Sequence, residues 1–230
     1  MSGDWSIKLI WGSDFSNTDM IMNALLIAIP ALLCITIHEL AHGFVAYKLG
    51  DNTAKMMGRL TFNPIKHIDI FGLLMILIIG FGWAKPVPVD MRNFKSPKLG
   101  MAITSFAGPL SNIILALIVL FVYRLLPFPV HSLGMTIVLR TVVLSTALAV
   151  FNMLPIPPLD GSKILFSVLS DRLYLKLMRY ERYGMIVLML LMISGRFLNF
   201  DIFGRIVFQP AVVIANNMDI FVRSVIGFFS

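Results

Sequence analysis

The chain holds 230 residues, 58% of them hydrophobic and 13% charged, with a mean hydropathy of +0.87 and a formal net charge of +7. A soluble domain carries about a quarter charged residues, so a soluble globular enzyme is excluded in favour of an all-α polytopic membrane protein with room for about five to six segments at ~20 residues each. The positive balance does not mark a nucleic-acid binder, because the basic residues lie in short loops between apolar runs, where they orient a membrane protein. The single cysteine, Cys34, excludes an internal disulfide and a cysteine-based metal site.

Residues 1–19 carry Asp4, Asp14 and Asp19 against Lys8, with Trp5 and Trp11 as interfacial anchors. They read as an amphipathic lead, since a basic n-region and a small-residue cleavage pattern are missing. From Met20 to Thr36 the chain is apolar and uncharged, and the span runs on to Lys48, with Pro30 placed to kink it. Near its end stands His38-Glu39-Leu40-Ala41-His42. Positions i and i+4 of a helix lie one above the other, so both imidazoles can reach one metal ion, and Glu39 falls about 100° round the helix, near a metal-held water. H-E-x-x-H supplies two zinc ligands and a general base. Glu39 lies nine residues before Lys48, about 14 Å at 1.5 Å per residue and so near the middle of the hydrocarbon layer. Ionisable groups at that depth are costly and mark function; the plainer alternative is a helix end carrying interfacial polar groups.

The loop from Lys48 to Asp69 is basic and reads as cytoplasmic. Ile70 to Gly82 is apolar but too short to cross, and Lys85 to Lys98 is basic again, so the expectation is a short re-entrant or β-hairpin segment near the active site. Trp83 to Val89 reads as extended chain, because proline and valine disfavour helix. Its open edge could pair with an unwound substrate or belong to a hairpin that only packs. Leu99 to Tyr123 is a second span carrying Gly108-Pro109-Leu110-Ser111-Asn112; Gly108 and Ser111 permit close helix contact, and Asn112 is a buried amide in need of a partner.

Leu133 to Leu154 is a third span, with Arg140 placed to snorkel. It ends in Asn152-Met-Leu-Pro155-Ile-Pro157-Pro158-Leu-Asp160-Gly161, whose prolines forbid a continuing helix. Asp160 then precedes a new helical stretch, Ser162 to Leu169. It either caps that stretch or supplies the third protein ligand that a catalytic zinc site needs beside two histidines and an open position; His67 and Asp69 are alternative ligands. Gly184 to Phe200 reads as a fourth span, and Ile206 to Phe229 as a fifth span or an interfacial helix. Residues 20–170 form the catalytic membrane core and residues 171–230 the C-terminal membrane segments.

The motifs at His38–His42, Gly108–Asn112 and Asn152–Gly161, with Asn63-Pro64 through Asp69 and Gly82 through Pro88, resemble the site-2 protease family of intramembrane zinc metalloproteases, in its minimal prokaryotic type without added regulatory domains. The similarity covers about residues 20–169. It implies one Zn²⁺ per chain held by His38, His42 and Asp160, with Glu39 as general base and Asn112 and Asn152 lining the site near the oxyanion or the substrate strand. Ser162-Lys163 departs from the Gly or Ser followed by Arg that the family often carries there. The expected partners are the lipid bilayer and a transmembrane protein or peptide substrate, the expected location is a prokaryotic cell membrane, and the active site faces the cytoplasm. A zinc transporter or a catalytically silent adaptor would also bury such residues, but a transporter normally shows internal repeats, and a structural site has no use for Glu39.

Overall fold

The computed structural model describes residues 17–72, 83–126, 133–179, 183–184, 186–188, 190 and 204–229. The described residues are mostly helical and include no strand. Seven α-helices with both ends among the described residues follow in order: α1 Asn17–Lys48, α2 Thr53–Met56, α3 Pro97–Leu125, α4 Leu133–Asn152, α5 Asp160–Ser167, α6 Asp171–Arg179 and α7 Gln209–Phe229. Among the described residues, four stretches are long and apolar enough to cross a membrane: Ala24–Lys48, Pro97–Leu125, Leu133–Asn152 and Gly204–Phe228.

The outer surface is apolar. Leu99, Ile103, Phe106, Leu110, Ile114, Ile118 and Val122 are all exposed along one stripe of α3, and Met22, Leu25, Ile29 and Leu33 form a similar stripe on α1. Steps of three and four residues keep each set on one helical face. Polar groups lie inside instead: Thr104, Ser105, Asn112, Ser145 and Thr146 are buried. A patch of that length on a water-soluble monomer would aggregate; in lipid it is the expected outer face.

Helix α4 packs against α1, α3 and α7, and α3 also contacts α1, α5 and α7. Small side chains set the spacing. Ala116, Ala215, Val142 and Val143 are fully buried at the α3–α4–α7 meeting, with Leu120 and Val222, and Ala147 meets Val207 and Ala211 nearby. Arg124 near the end of α3 makes a two-pronged pair with Asp219 of α7 at 2.6–2.9 Å, and Arg223 adds a contact at 2.8 Å. Ile206–Phe229 is thus a helix packed into the bundle and long enough to span. Arg140 is 3% exposed. Its helix lies between three others, so Arg140 is held inside rather than snorkelling.

Each helix end has a local cause. Gly50 closes α1 at φ +108°, with Gly50 N–H on Tyr47 C=O and Asp51 N–H on Ala46 C=O, the paired bonds of a glycine C-cap. Pro97 opens α3 at its first position, where the missing N–H is no loss. The prolines after Asn152 end α4, and α5 begins at Asp160, two residues earlier than the predicted Ser162. Trp83 to Val89 runs without helix, as expected, and joins the preceding loop through an isolated antiparallel bridge, Ile68 to Ala84. The predicted re-entrant stretch Ile70–Gly82 and fourth span Gly184–Phe200 lie largely outside the described residues.

Candidate metal centre

Helix α1 presents His38 and His42 one turn apart on its buried face, 5% and 9% exposed. Their rings meet edge to face with centroids 4.6 Å apart, and the two Nε2 atoms are 3.0 Å apart. Asp160, at the start of α5, places Oδ2 3.2 Å from each Nε2. These three ligand atoms lie within 4.8 Å of one another. They come from chain positions 118 residues apart (160 − 42), joined because α3 and α4 bring the break after Asn152 back over α1.

The outer hydrogen bonds aim the donors. His42 Nδ1 is 2.7 Å from the Thr104 carbonyl, which can only accept, so Nδ1 carries the proton and Nε2 offers a lone pair. His38 Nδ1 is 2.7 Å from Asn112 Oδ1. The orientation of that amide follows from its other side, where Nδ2 donates to the Cys34 carbonyl at 3.2 Å and to Ser145 Oγ at 3.1 Å. Ser145 in turn donates to the Asn112 carbonyl at 2.8 Å. Asn112 is therefore fully engaged behind His38 and fully buried.

Two glycines make the assembly possible. A Cβ at Gly108 would lie 2.4 Å from His42 Nε2 and 2.6 Å from His38 Cε1. A Cβ at Gly161 would lie 2.2 Å from the Met153 carbonyl oxygen, so Asp160 reaches the histidines only because its neighbour lacks a side chain. Leu159, not Asp160, occupies the cap position of α5, and that cap has no side-chain hydrogen bond; the carboxylate is turned to the histidines instead.

A cavity of about 320 Å³ opens beside the trio, lined among others by Glu39, Val87, Asn152, Pro158 and Lys163. Glu39 Oε2 accepts the Val87 N–H at 2.7 Å. Asn152 donates to the Leu148 carbonyl at 3.0 Å and keeps its place on the cavity wall. His67 bonds the Thr61 carbonyl at 2.9 Å and Asp69 accepts the Gly72 N–H at 2.8 Å; neither joins the grouping of ligand atoms. Thr104, Ser145 and Val87 were not singled out by the sequence. Two of them act through the main chain, which leaves no residue-type signal, and Ser145 acts only through Asn112.

The donor set of two aimed imidazole nitrogens and one carboxylate oxygen, next to a cavity, fits a zinc ion with one open position. Comparison with known proteins agrees. The family model described as "Peptidase family M50" matches residues 25–137 and 128–195. "Putative zinc metalloprotease YwhC" of Bacillus subtilis (strain 168) is 43% identical over 73% of this chain and 80% of its own length. "Putative zinc metalloprotease Rip2" of Mycolicibacterium smegmatis is 29% identical over 71% of this chain and 64% of its own, and "Zinc metalloprotease MJ0392" of Methanocaldococcus jannaschii is 28% identical over 74% and 42%. No solved structure matches at the same level. With its motifs, its converging ligands and a family match across most of its length, the chain belongs to peptidase family M50, the site-2 proteases.

Proposed function

We propose that this protein is a zinc metalloendopeptidase that cleaves peptide bonds in or near transmembrane segments of membrane proteins, with Glu39 as general base. The observation that carries the reading is the convergence of His38, His42 and Asp160 beside a cavity that Glu39 also faces. Bound there, Zn²⁺ supplies Lewis acidity to a water and to the scissile carbonyl, bringing the pKa of that water toward ~7.

The chain's own residues do the rest. Glu39 Oε2 is committed to Val87 N–H, so Oε1 is the oxygen that takes the proton from the attacking water and returns it to the leaving amine. Asn112 serves by fixing His38, since its amide has no free position with which to meet an oxyanion. Asn152, on the cavity wall, is the amide placed to meet the substrate strand. A helical substrate hydrogen-bonds its own peptide groups, so it must unwind locally to enter the cavity. The basic loops on either side of Trp83, with Lys48, Lys55, Lys66, Lys95 and Lys98 among their residues, support a cytoplasmic orientation for the site.

Glu39→Gln is the decisive variant. It is expected to keep one zinc per chain, measured by elemental analysis, and to cut cleavage of a membrane-embedded model peptide by at least about 10³-fold, as removal of a general base does. Cleavage near the wild-type rate with zinc retained would refute the assignment.

A further inference from the structure

Beyond the metal centre, the geometry points to Arg59 as a positioning residue for Glu39, acting through the main chain of Lys85–Val87; this rests on the proteolytic reading above. Arg59 is 8% exposed although it lies in a loop. Its Nη2 donates to the Lys85 carbonyl at 2.8 Å and to the Pro86 carbonyl at 3.3 Å, while its buried Nε meets no partner among the described residues. The next residue along the gripped strand is Val87, whose N–H reaches Glu39 Oε2 at 2.7 Å. A single guanidinium therefore lies one peptide group away from the hydrogen bond that holds the base.

Three details make this more than a loop anchor. Pro86 and Pro88 have no N–H, so Val87 carries the sole main-chain donor in that triplet. Other ties flank the segment: before it Lys85 N–H bonds the His67 carbonyl at 2.9 Å and Ala84 bridges Ile68, and after it Asp90 N–H bonds Asp51 Oδ2 at 2.7 Å. Against α1, Val87 packs over Gly43, where an added Cβ would lie 3.1 Å from Val87 Cγ1. Arg59 thus governs the register and height of Val87 over Glu39. A buried guanidinium costs free energy unless its hydrogen bonds return it. Here they go to two carbonyls of the extended segment whose Val87 N–H holds the base. Both bonds leave the one nitrogen Nη2, whose N–H groups are fixed in the guanidinium plane, whereas an ammonium is a compact, freely rotating point charge. Released from Arg59, the strand lifts, Val87 N–H leaves Oε2, and Glu39 regains rotamers that point Oε1 away from the attacking water.

The experiment uses the purified full chain in detergent and a membrane-embedded model peptide, with two changes, Arg59→Gln and an amide-to-ester replacement at Val87 that deletes the N–H and also weakens the Pro86 carbonyl as an acceptor. Arg59→Gln is expected to keep one zinc per chain and to lower kcat about 30- to 100-fold with KM changed less than about threefold, the penalty of a misplaced catalytic group. Amide exchange across residues 84–90 should rise in parallel, independent of turnover. Arg59→Lys should restore only part of kcat. The ester should lower kcat to a similar extent, and the two changes together should cost no more than the larger alone, because both cut one link. Wild-type kcat in either single variant, or losses that multiply in the pair, would overturn the proposal. If Arg59→Gln does not fold, Arg59→Lys takes its place beside the ester: lowered kcat in both, without multiplying in the pair, supports the link, and wild-type kcat in either removes it. Persistent cleavage by Glu39→Gln would instead sink the proteolytic reading, while the exchange measurement still reports whether Arg59 holds the strand.

Discussion

Gly108 shows how much one missing methyl group decides. The motif Gly108-Pro109-Leu110-Ser111-Asn112 delivers two services one helical turn apart: Gly108 lets α3 lie against both imidazoles, and Asn112 fixes one of them. A methyl at position 108 would overlap His42 Nε2, the lone pair meant for the metal. Gly108→Ala should therefore weaken zinc binding more than about tenfold, the range for disturbed ligand shells, measured by competition with a chromophoric chelator. Asn112→Ala removes the acceptor for His38 Nδ1–H and the amide donor to the Cys34 carbonyl and Ser145 Oγ. The expected cost is 10- to 100-fold in zinc affinity, at about the level of outer-ligand mutations. Wild-type affinity in Asn112→Ala would return that residue to a packing role.

Among the elements, α7 and the loop after α1 are each pinned by one carboxylate. Asp219, 3% exposed, binds Arg124 across the bundle and Arg223 one turn along its own helix. Asp219→Ala removes the carboxylate that ties Arg124 of α3 to α7 and should cost about 1–3 kcal/mol, the range for hydrogen bonds to charged groups, seen as a lower Tm with α7 opening first in amide exchange. Asp51, fully buried at the end of α1, accepts hydrogen bonds from Thr53, from Asn93 Nδ2 and from the Asp90 N–H. Burial would raise its pKa, but these bonds from Thr53, Asn93 and Asp90 outweigh it and hold the carboxyl below its ordinary value. With the folded value below the unfolded one, its contribution is complete above about pH 4 and is lost as pH falls through the folded value. Asp51→Asn should destabilise by about 1–3 kcal/mol near neutral pH, and thermal unfolding should show the gap to wild type closing as the pH drops below ~4.

At the scale of the whole molecule, the metal ligands join two parts of the chain that the membrane helices bring together only after folding. His38 and His42 sit on α1, while Asp160 sits on a helix reached through α3, α4 and a proline-rich break. Zinc that binds the folded form should then stabilise the whole bundle by mass action, about 2.7 kcal/mol at a hundredfold excess over Kd. A chelator should lower Tm and abolish cleavage together, and added zinc should restore both. In Asp160→Ala the zinc-dependent rise in Tm should vanish while the basal Tm stays close to that of the metal-free wild type. A full rise in that variant would mean that the two histidines alone capture the ion.

The local pattern alone determined the membrane class, the first three spans, the extended run Trp83–Val89 and the pair His38–His42, because each depends on residues close in the chain: apolar length, proline and an i, i+4 spacing. It favoured a ligand over a helix cap for Asp160 without closing off the cap, since both roles ask for a carboxylate at a helix start. Only the tertiary structure brings Asp160 to the histidines, by laying α5 over α1 so that one carboxylate oxygen stands 3.2 Å from both imidazoles. The same is true of Thr104, Val87 and Arg59, whose roles run through main-chain carbonyls and N–H groups that every residue possesses. Such groups acquire meaning only from what the fold places opposite them, and that placement is set by contacts between distant segments.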